Sequence, residues 1–190
     1  TIHYIDALKE VSGGDYYITF PDLAENWDIL ASLSGSTKLL MDMYDRPDVV
    51  HRQIAAVNRL YKEVYMRLYE RIAGSGGTTN GGLPVGSSMY EAFYLWSPGK
   101  TAKLQCDGSA MFSPEMFREF VLPGLKEQTE YIDYTMYHLD GTQSIVHLDA
   151  ILEIEKLNAV EWTPQAGEPG GTDPRWYPLY RKILESGKSL

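Results

Sequence analysis

The chain has 190 residues, of which 44% are hydrophobic and 23% charged, a composition typical of a globular domain with its own core. The 26 acidic residues outnumber the 17 basic ones and give a net charge of −9, which argues against a nucleic-acid partner. The sequence has no apolar run near the roughly 20 residues of a membrane helix, and residues 1–20 lack the charged-then-apolar pattern of a signal segment. A single cysteine, Cys106, excludes a disulfide or a multi-cysteine metal site within the chain. We therefore expect a cytoplasmic protein without a membrane partner.

The two ends of the sequence suggest that more chain exists. The sequence begins with Thr1 and not with methionine, which is expected of a fragment and equally of a chain whose initiator methionine has been removed. Residues 187–190 are typical of the approach to another strand. We therefore expect the chain to be part of a longer protein.

The first half of the chain is predicted to be mostly helical. An aromatic and β-branched run over 16–20 predicts a strand. A helix is predicted over 23–33, ended by Gly35, and a short helix follows around 39–41.

The clearest predicted element is a long helix that ends near Gly74. Asp45 is its expected cap and Pro47 lies in its expected first turn. Apolar and tyrosine residues recur along it at steps of three and four, as in a helix with one buried face. The glycine-rich stretch 74–82 that follows lacks the Gly-Lys-Ser/Thr ending of a phosphate loop, which favours a surface or active-site loop.

From residue 102 onward, strands and helices alternate. Strands are predicted over 102–106, 134–138 and 158–162, with helices beginning at Ser113, near residue 143 and at Asp173. Because right-handed crossovers through helices join parallel strands, this order predicts an α/β fold. The pattern suits either part of an eight-stranded barrel or a small open sheet, and periodicity does not choose between them.

Chemically capable side chains follow two of these predicted strands. Asp107 comes after the first, and His138 and Asp140 end the second, where parallel folds place ligand-binding groups. Residues two apart on a strand point the same way, so His138 and Asp140 could bind a divalent metal or form a proton-transfer pair. Each also has a structural interpretation: both aspartates as turn or cap residues, and His138 as a hydrogen-bonded strand end. Cys106 is expected to be a buried core residue.

Three stretches together resemble the uroporphyrinogen decarboxylase superfamily. The main one is Leu104-Gln105-Cys106-Asp107-Gly108-Ser109-Ala110-Met111-Phe112-Ser113-Pro114-Glu115-Met116-Phe117, continuing to Pro123. The others are 26–30 with Gly35 and 45–47, and 137–141 followed by Glu161-Trp162. The resemblance implies a TIM (β/α)8 barrel, of which residues 1–190 would be a single domain from its central to C-terminal portion.

The superfamily contains uroporphyrinogen decarboxylases and zinc-dependent corrinoid methyltransferases, including the coenzyme M type. The tyrosine of the decarboxylases would fall near Ala31 or Ser32, and neither replaces a phenol. The methyltransferases have His-x-Cys where this chain has His138-Leu139-Asp140, so His138 carries over and Asp140 carries over only as an oxygen ligand. Two ligands are too few for tight zinc, and we expect the third from Cys106 or from beyond Leu190.

The resemblance favours methyl transfer between a small methylated substrate and a corrinoid. His138 and Asp140 would hold zinc or another divalent ion, and Asp107 would orient the substrate or move a proton. A corrinoid protein and a second copy of the chain are the implied protein partners. Two alternatives stay open: porphyrinogen decarboxylation, with Asp107 stabilising charge on pyrrole nitrogens, and a non-catalytic corrinoid-binding or scaffold subunit.

Overall fold

A computed structural model describes residues 2–13, 15–73 and 86–190. Four helices occupy the first part: α1 (Ile2–Ser12), α2 (Asn26–Ser34), α3 (Ser36–Asp45) and α4 (Pro47–Ile72). The long predicted helix is confirmed as α4, whose buried residues follow the expected stripe. None of the helices in the described ranges combines the length and apolar character needed to span a bilayer.

The predicted boundaries around these helices are partly confirmed. Gly35 separates α2 from α3 with a φ of 85°, a conformation that glycine adopts without strain. Pro47 is the first residue of α4, as predicted. The prediction that Asp45 caps α4 is wrong, because Asp45 still belongs to α3 and Arg46 occupies the cap position. The glycine-rich stretch 74–82 lies outside the described residues.

A short antiparallel hairpin follows α4. Strands β1 (Ser88–Tyr90) and β2 (Leu95–Ser97) pair with each other, and a 3-10 turn, Ala92–Tyr94, connects them. The predicted strand over 16–20 is wrong, since only Phe20 forms a bridge, to Tyr90. Residues 16–20 have the composition of a strand, but the neighbouring strand β1 is only three residues long. Tyr16 and Tyr17 are exposed.

The central element is a parallel sheet of β3 (Thr101–Leu104), β4 (Tyr134–Asp140) and β5 (Ala159–Thr163). Its strand order is β3-β4-β5, so the alternation predicted from residue 102 onward is confirmed as a mixed α/β fold with a parallel sheet. On the outer side of β5, Ser189 makes a further parallel bridge to Ala159. The described strands do not close into a barrel.

Helical segments follow each strand of this sheet. After β3 come a 3-10 turn (Asp107–Met111), α5 (Pro114–Met116), a π-helical turn (Phe117–Val121) and α6 (Leu122–Tyr131). After β4 come a 3-10 segment (Thr142–His147) and α7 (Leu148–Leu152); after β5 come a 3-10 turn (Pro174–Trp176) and α8 (Tyr177–Glu185). Ser113 and Asp173 accept hydrogen bonds from backbone amides at the starts of their segments, as the sequence predicted.

The sheet has one apolar and one polar face. Leu104, Leu139 and Val160 belong to the main buried cluster, together with residues of the helices that follow the strands. Because side chains alternate along a strand, Lys103 and His138 lie on the opposite face. The polar face is therefore the one available for chemistry.

Candidate functional site

The three predicted site residues converge. Asp107 begins the 3-10 turn after β3, while His138 and Asp140 lie at the end of β4. One ligand atom from each of the three lies within 4.8 Å of those from the other two. The expected clustering of Asp107, His138 and Asp140 is thus confirmed, whereas their chemical roles stay predictions.

The His138 ring is held by a carboxylate on the neighbouring strand. Glu161 is its register partner across β4 and β5, and Glu161 Oε2 lies 2.5 Å from His138 Nδ1. The second carboxylate oxygen, Oε1, accepts a hydrogen bond from Thr163 Oγ1 at 2.8 Å. With Nδ1 engaged, Nε2 is the nitrogen left to bind a ligand. A carboxylate on the second nitrogen is the usual support of a metal-binding histidine.

Asp107 is held from the side by a relay on the polar face. The buried Lys103 donates to Gln105 Oε1, and Gln105 Nε2 donates to Asp107 Oδ2 at 3.3 Å. The same ammonium pairs with Asp22 Oδ1 at 2.7 Å. An ammonium only donates hydrogen bonds, so the oxygen of Gln105 must face Lys103 and its NH2 must face Asp107. One carboxylate oxygen of Asp107 is occupied in this way, and the other stays available.

The backbone of Asp107 is held by hydrogen bonds to a side chain of α2. Asp28 Oδ2 accepts from the backbone N–H of Asp107 at 2.9 Å, and Asp28 Oδ1 accepts from that of Gly108 at 3.1 Å. Burial, and next the negative charge of Asp28, raise the pKa of the Asp107 carboxyl. Gly108 packs so closely on Trp27 that a Cβ there would lie 2.0 Å from the indole. The position of the donor therefore depends on a helix far away in sequence.

The remaining candidate, Cys106, has a structural role. Its thiol is buried in the main cluster, and burial raises the pKa of that thiol. The expectation that Cys106 is a core residue is confirmed. Cys106 does not belong to the donor cluster, whereas Asp107 does, beside His138 and Asp140. The third ligand that we expected from Cys106 or from beyond Leu190 stays a prediction.

A cleft of about 390 Å3 opens beside Asp107. Its lining residues come from α2, the start of α3 and the 3-10 turn: Trp27, Asp28, Ala31, Ser32, Ser36, Asp107, Gly108 and Met111. Small side chains at Ala31 and Ser32 leave this space open. Of the three donors, only Asp107 lines this cleft.

The donor set has the residue types that bind one divalent ion. Zinc bonds to nitrogen and oxygen ligands are about 2.0–2.2 Å long and tetrahedrally arranged, so the ligand atoms around one ion lie roughly 3.3–3.6 Å apart. The three donor atoms lie within 4.8 Å of one another, so the side chains would have to close by about 1 Å around an ion. One imidazole and two carboxylates are harder ligands than the thiolate-containing set that the resemblance implied. Without a metal, the same groups could move a proton.

Comparison of the chain with known proteins identifies no relative. The chain matches no family model, no curated protein and no solved structure. The likeness to the uroporphyrinogen decarboxylase superfamily therefore rests on the sequence motifs alone.

The sequence did not reveal the residues that support the donors, among them Glu161, Asp28 and Lys103. Glu161 had a usable signal, because it stands on a predicted strand next to His138 and an in-register parallel pairing places the two opposite each other. Asp28 is separated from the residues it holds by 79 and 80 positions, and no local pattern connects them. Lys103 has the appearance of a surface lysine in a strand, and only the fold shows that it is buried.

Proposed function

We propose that this protein is an enzyme of the uroporphyrinogen decarboxylase type with a divalent metal site at Asp107, His138 and Asp140. The reaction we favour is methyl transfer between a small methylated substrate and a corrinoid. The observation that carries the proposal is the convergence of three donors around an imidazole that Glu161 orients. The corrinoid rests on the sequence resemblance.

The TIM barrel is part of this proposal. In doubly wound sheets the strand order reverses and helices cover both faces. Here the order β3-β4-β5 is sequential, and one face carries Lys103, His138 and Glu161. The bridge from Ser189 to the free edge of β5 continues the same order. These features favour an arc of a barrel whose polar face points to the barrel axis.

The chain's own residues prepare the site before any substrate binds. Glu161 can accept from Nδ1–H of His138, and in the neutral imidazole this tautomer has its lone pair on Nε2. Gln105 and Asp28 hold Asp107 at the side chain and at the backbone. A bound divalent ion would act as a Lewis acid on the heteroatom of the substrate or acceptor. Asp107 would orient the substrate in the cleft that it borders.

Porphyrinogen decarboxylation is the weaker candidate. Its substrate carries several carboxylates, whereas the site already holds the carboxylates of Asp107 and Asp140, with Glu161 behind His138. Like charges at this spacing repel such a substrate. The tyrosine of the decarboxylases would fall near Ala31 or Ser32, and the described residues that line the cleft include no tyrosine.

Metal content tests the proposal directly. We expect about one zinc or similar ion per chain by elemental analysis of the full-length protein, purified without chelator at neutral pH. His138→Ala should lose the ion, while His51→Ala, at a surface histidine that pairs with Glu119, should retain it. Protein without stoichiometric metal would refute the metal site and shift the choice to decarboxylation or to an inactive barrel.

A further inference from the structure

The tip of the β1–β2 hairpin is strained. Phe93 has a φ of 60° and Tyr94 a φ of 52°, the left-handed region that bulky side chains rarely adopt. Elsewhere in the described ranges, only Asn26 among the non-glycine residues shares this feature. Such a conformation is unfavourable and persists only where its surroundings enforce it.

The base of the hairpin supplies that enforcement. Tyr90 is buried against Phe20, and its hydroxyl accepts from the backbone N–H of Leu23 at 2.7 Å. The hydroxyls of Ser88 and Ser97 both donate to the carbonyl of Gly99, at 2.7 and 2.9 Å. With both strands tied to the body of the protein, the turn has little freedom to relax.

The strained turn places an aromatic ring beside the donor cluster. The Phe93 ring centroid lies 4.8 Å from that of His138, with the two planes tilted by 41°. Phe93 is nevertheless 42% exposed, so contact with His138 covers only part of the side chain. The adjacent Tyr94 has the same backbone conformation but is 85% exposed. Phe93 is thus an apolar surface at the edge of a site whose donor groups are polar.

We propose that Phe93 determines substrate specificity by packing against an apolar group that the substrate carries next to its metal-binding atom. This inference rests on the proposed metal site and narrows the substrate class to small molecules with an alkyl group beside a heteroatom. Strain at residues 93 and 94 is the consequence of holding the ring there. A polar or charged substituent at the same place would lose its hydration against the ring without a hydrogen bond in return.

A matched pair of probes tests this inference. The full-length protein is loaded with Co²⁺, whose visible spectrum reports ligands in an open coordination position, and titrated with 1-propanethiol or 2-mercaptoethanol. The two thiols share the ligating sulfur and the chain length, and differ in a terminal methyl against a hydroxyl group. The ratio of their dissociation constants is compared between variants, so that intrinsic differences between the thiols cancel.

We expect Phe93→Ser to reduce the preference for 1-propanethiol by about fourfold, the effect of one buried methyl group. Phe93→Leu should retain most of the preference, and Tyr94→Ser, the same change at the neighbouring left-handed residue, should retain all of it. An unchanged ratio in Phe93→Ser would overturn the inference even if Co²⁺ affinity fell, because that result would give the ring a purely structural role. Failure of the wild-type protein to bind Co²⁺ would overturn the proposed metal site itself, and the inference with it.

Discussion

Replacing Glu161 by glutamine tests whether the carboxylate behind His138 sets the strength of the metal site. Glutamine has nearly the same shape, so its oxygen can still accept from His138 Nδ1–H. Its NH2 group then faces Thr163, whose hydroxyl can turn to accept instead of donating. The substitution therefore removes the negative charge and keeps both hydrogen bonds seen in the structure, at 2.5 and 2.8 Å.

The size of the effect follows from the loss of charge. A hydrogen bond to a charged group contributes about 1.5–3 kcal/mol and one between neutral groups about 0.5–1.5 kcal/mol. The difference of about 1–1.5 kcal/mol corresponds to roughly a tenfold change in an equilibrium constant. We therefore expect Glu161→Gln to bind zinc about tenfold more weakly than the wild type. Glu161→Ala, which loses the hydrogen bonds too, should approach the hundredfold end of such effects.

The assay is competition for zinc between the full-length protein and a chromophoric chelator at neutral pH. Glu153→Gln is the matched control, because Glu153 pairs with Arg118 at 2.7 Å and does not belong to the donor cluster. Equal zinc affinities for the wild type and Glu161→Gln would refute the orienting role of Glu161. If Glu161→Gln lost zinc binding as completely as His138→Ala, the orienting role would also be refuted, because Glu161 would then be a ligand of the ion.

Three further outcomes are expected. Gly108→Ala should lower the free energy of unfolding in urea by about 1–3 kcal/mol, because the new Cβ would lie 2.0 Å from the Trp27 ring. The control Gly170→Ala should have little effect, because a Cβ there meets no atom within 4 Å. Burial raises the pKa of the Glu25 carboxyl, so the folded state binds a proton there more tightly than the unfolded state does. As the pH rises from the unfolded to the folded pKa of this group, the free energy of unfolding should therefore fall by about 1.4 kcal/mol per pH unit. Glu25→Gln should remove this fall and gain stability over the wild type as the pH rises; parallel pH profiles would contradict this. Asp28→Ala should cost about 1–3 kcal/mol, because two backbone N–H groups lose their acceptor, and should weaken zinc binding; unchanged zinc affinity would show that the donor keeps its position without Asp28.

The elements that the sequence predicts well are those that local patterns specify. Strands β3, β4 and β5 are short, apolar or alternating runs between helices, and each pairs with its neighbour in sequence order. The start of the helical stretch after Ser113 depends on a side chain and an amide three residues later. The convergence of Asp107, His138 and Asp140 needed only one general rule, that the ends of parallel strands share an edge.

What could not be predicted depends on distant parts of the chain. A strand at 16–20 requires a partner of matching length, and Tyr90 offers a bridge only at Phe20. The position of Phe93 over His138 results from a turn whose backbone conformation is unfavourable for its residues, so propensity argues against it. The contact between Asp28 and the Asp107 segment is made only when α2 packs against the 3-10 turn that follows β3.

That last contact divides the site between two parts of the chain. The donors and Glu161 belong to three consecutive strand-helix units, whereas the groups that hold the Asp107 amide and the Gly108 amide come from α2. These two amide hydrogens can exchange with solvent once the Asp28 carboxylate moves away, and this does not require the strands to separate. Their exchange rates therefore report how often the contact with α2 opens, and each opening leaves Asp107 without its backbone support.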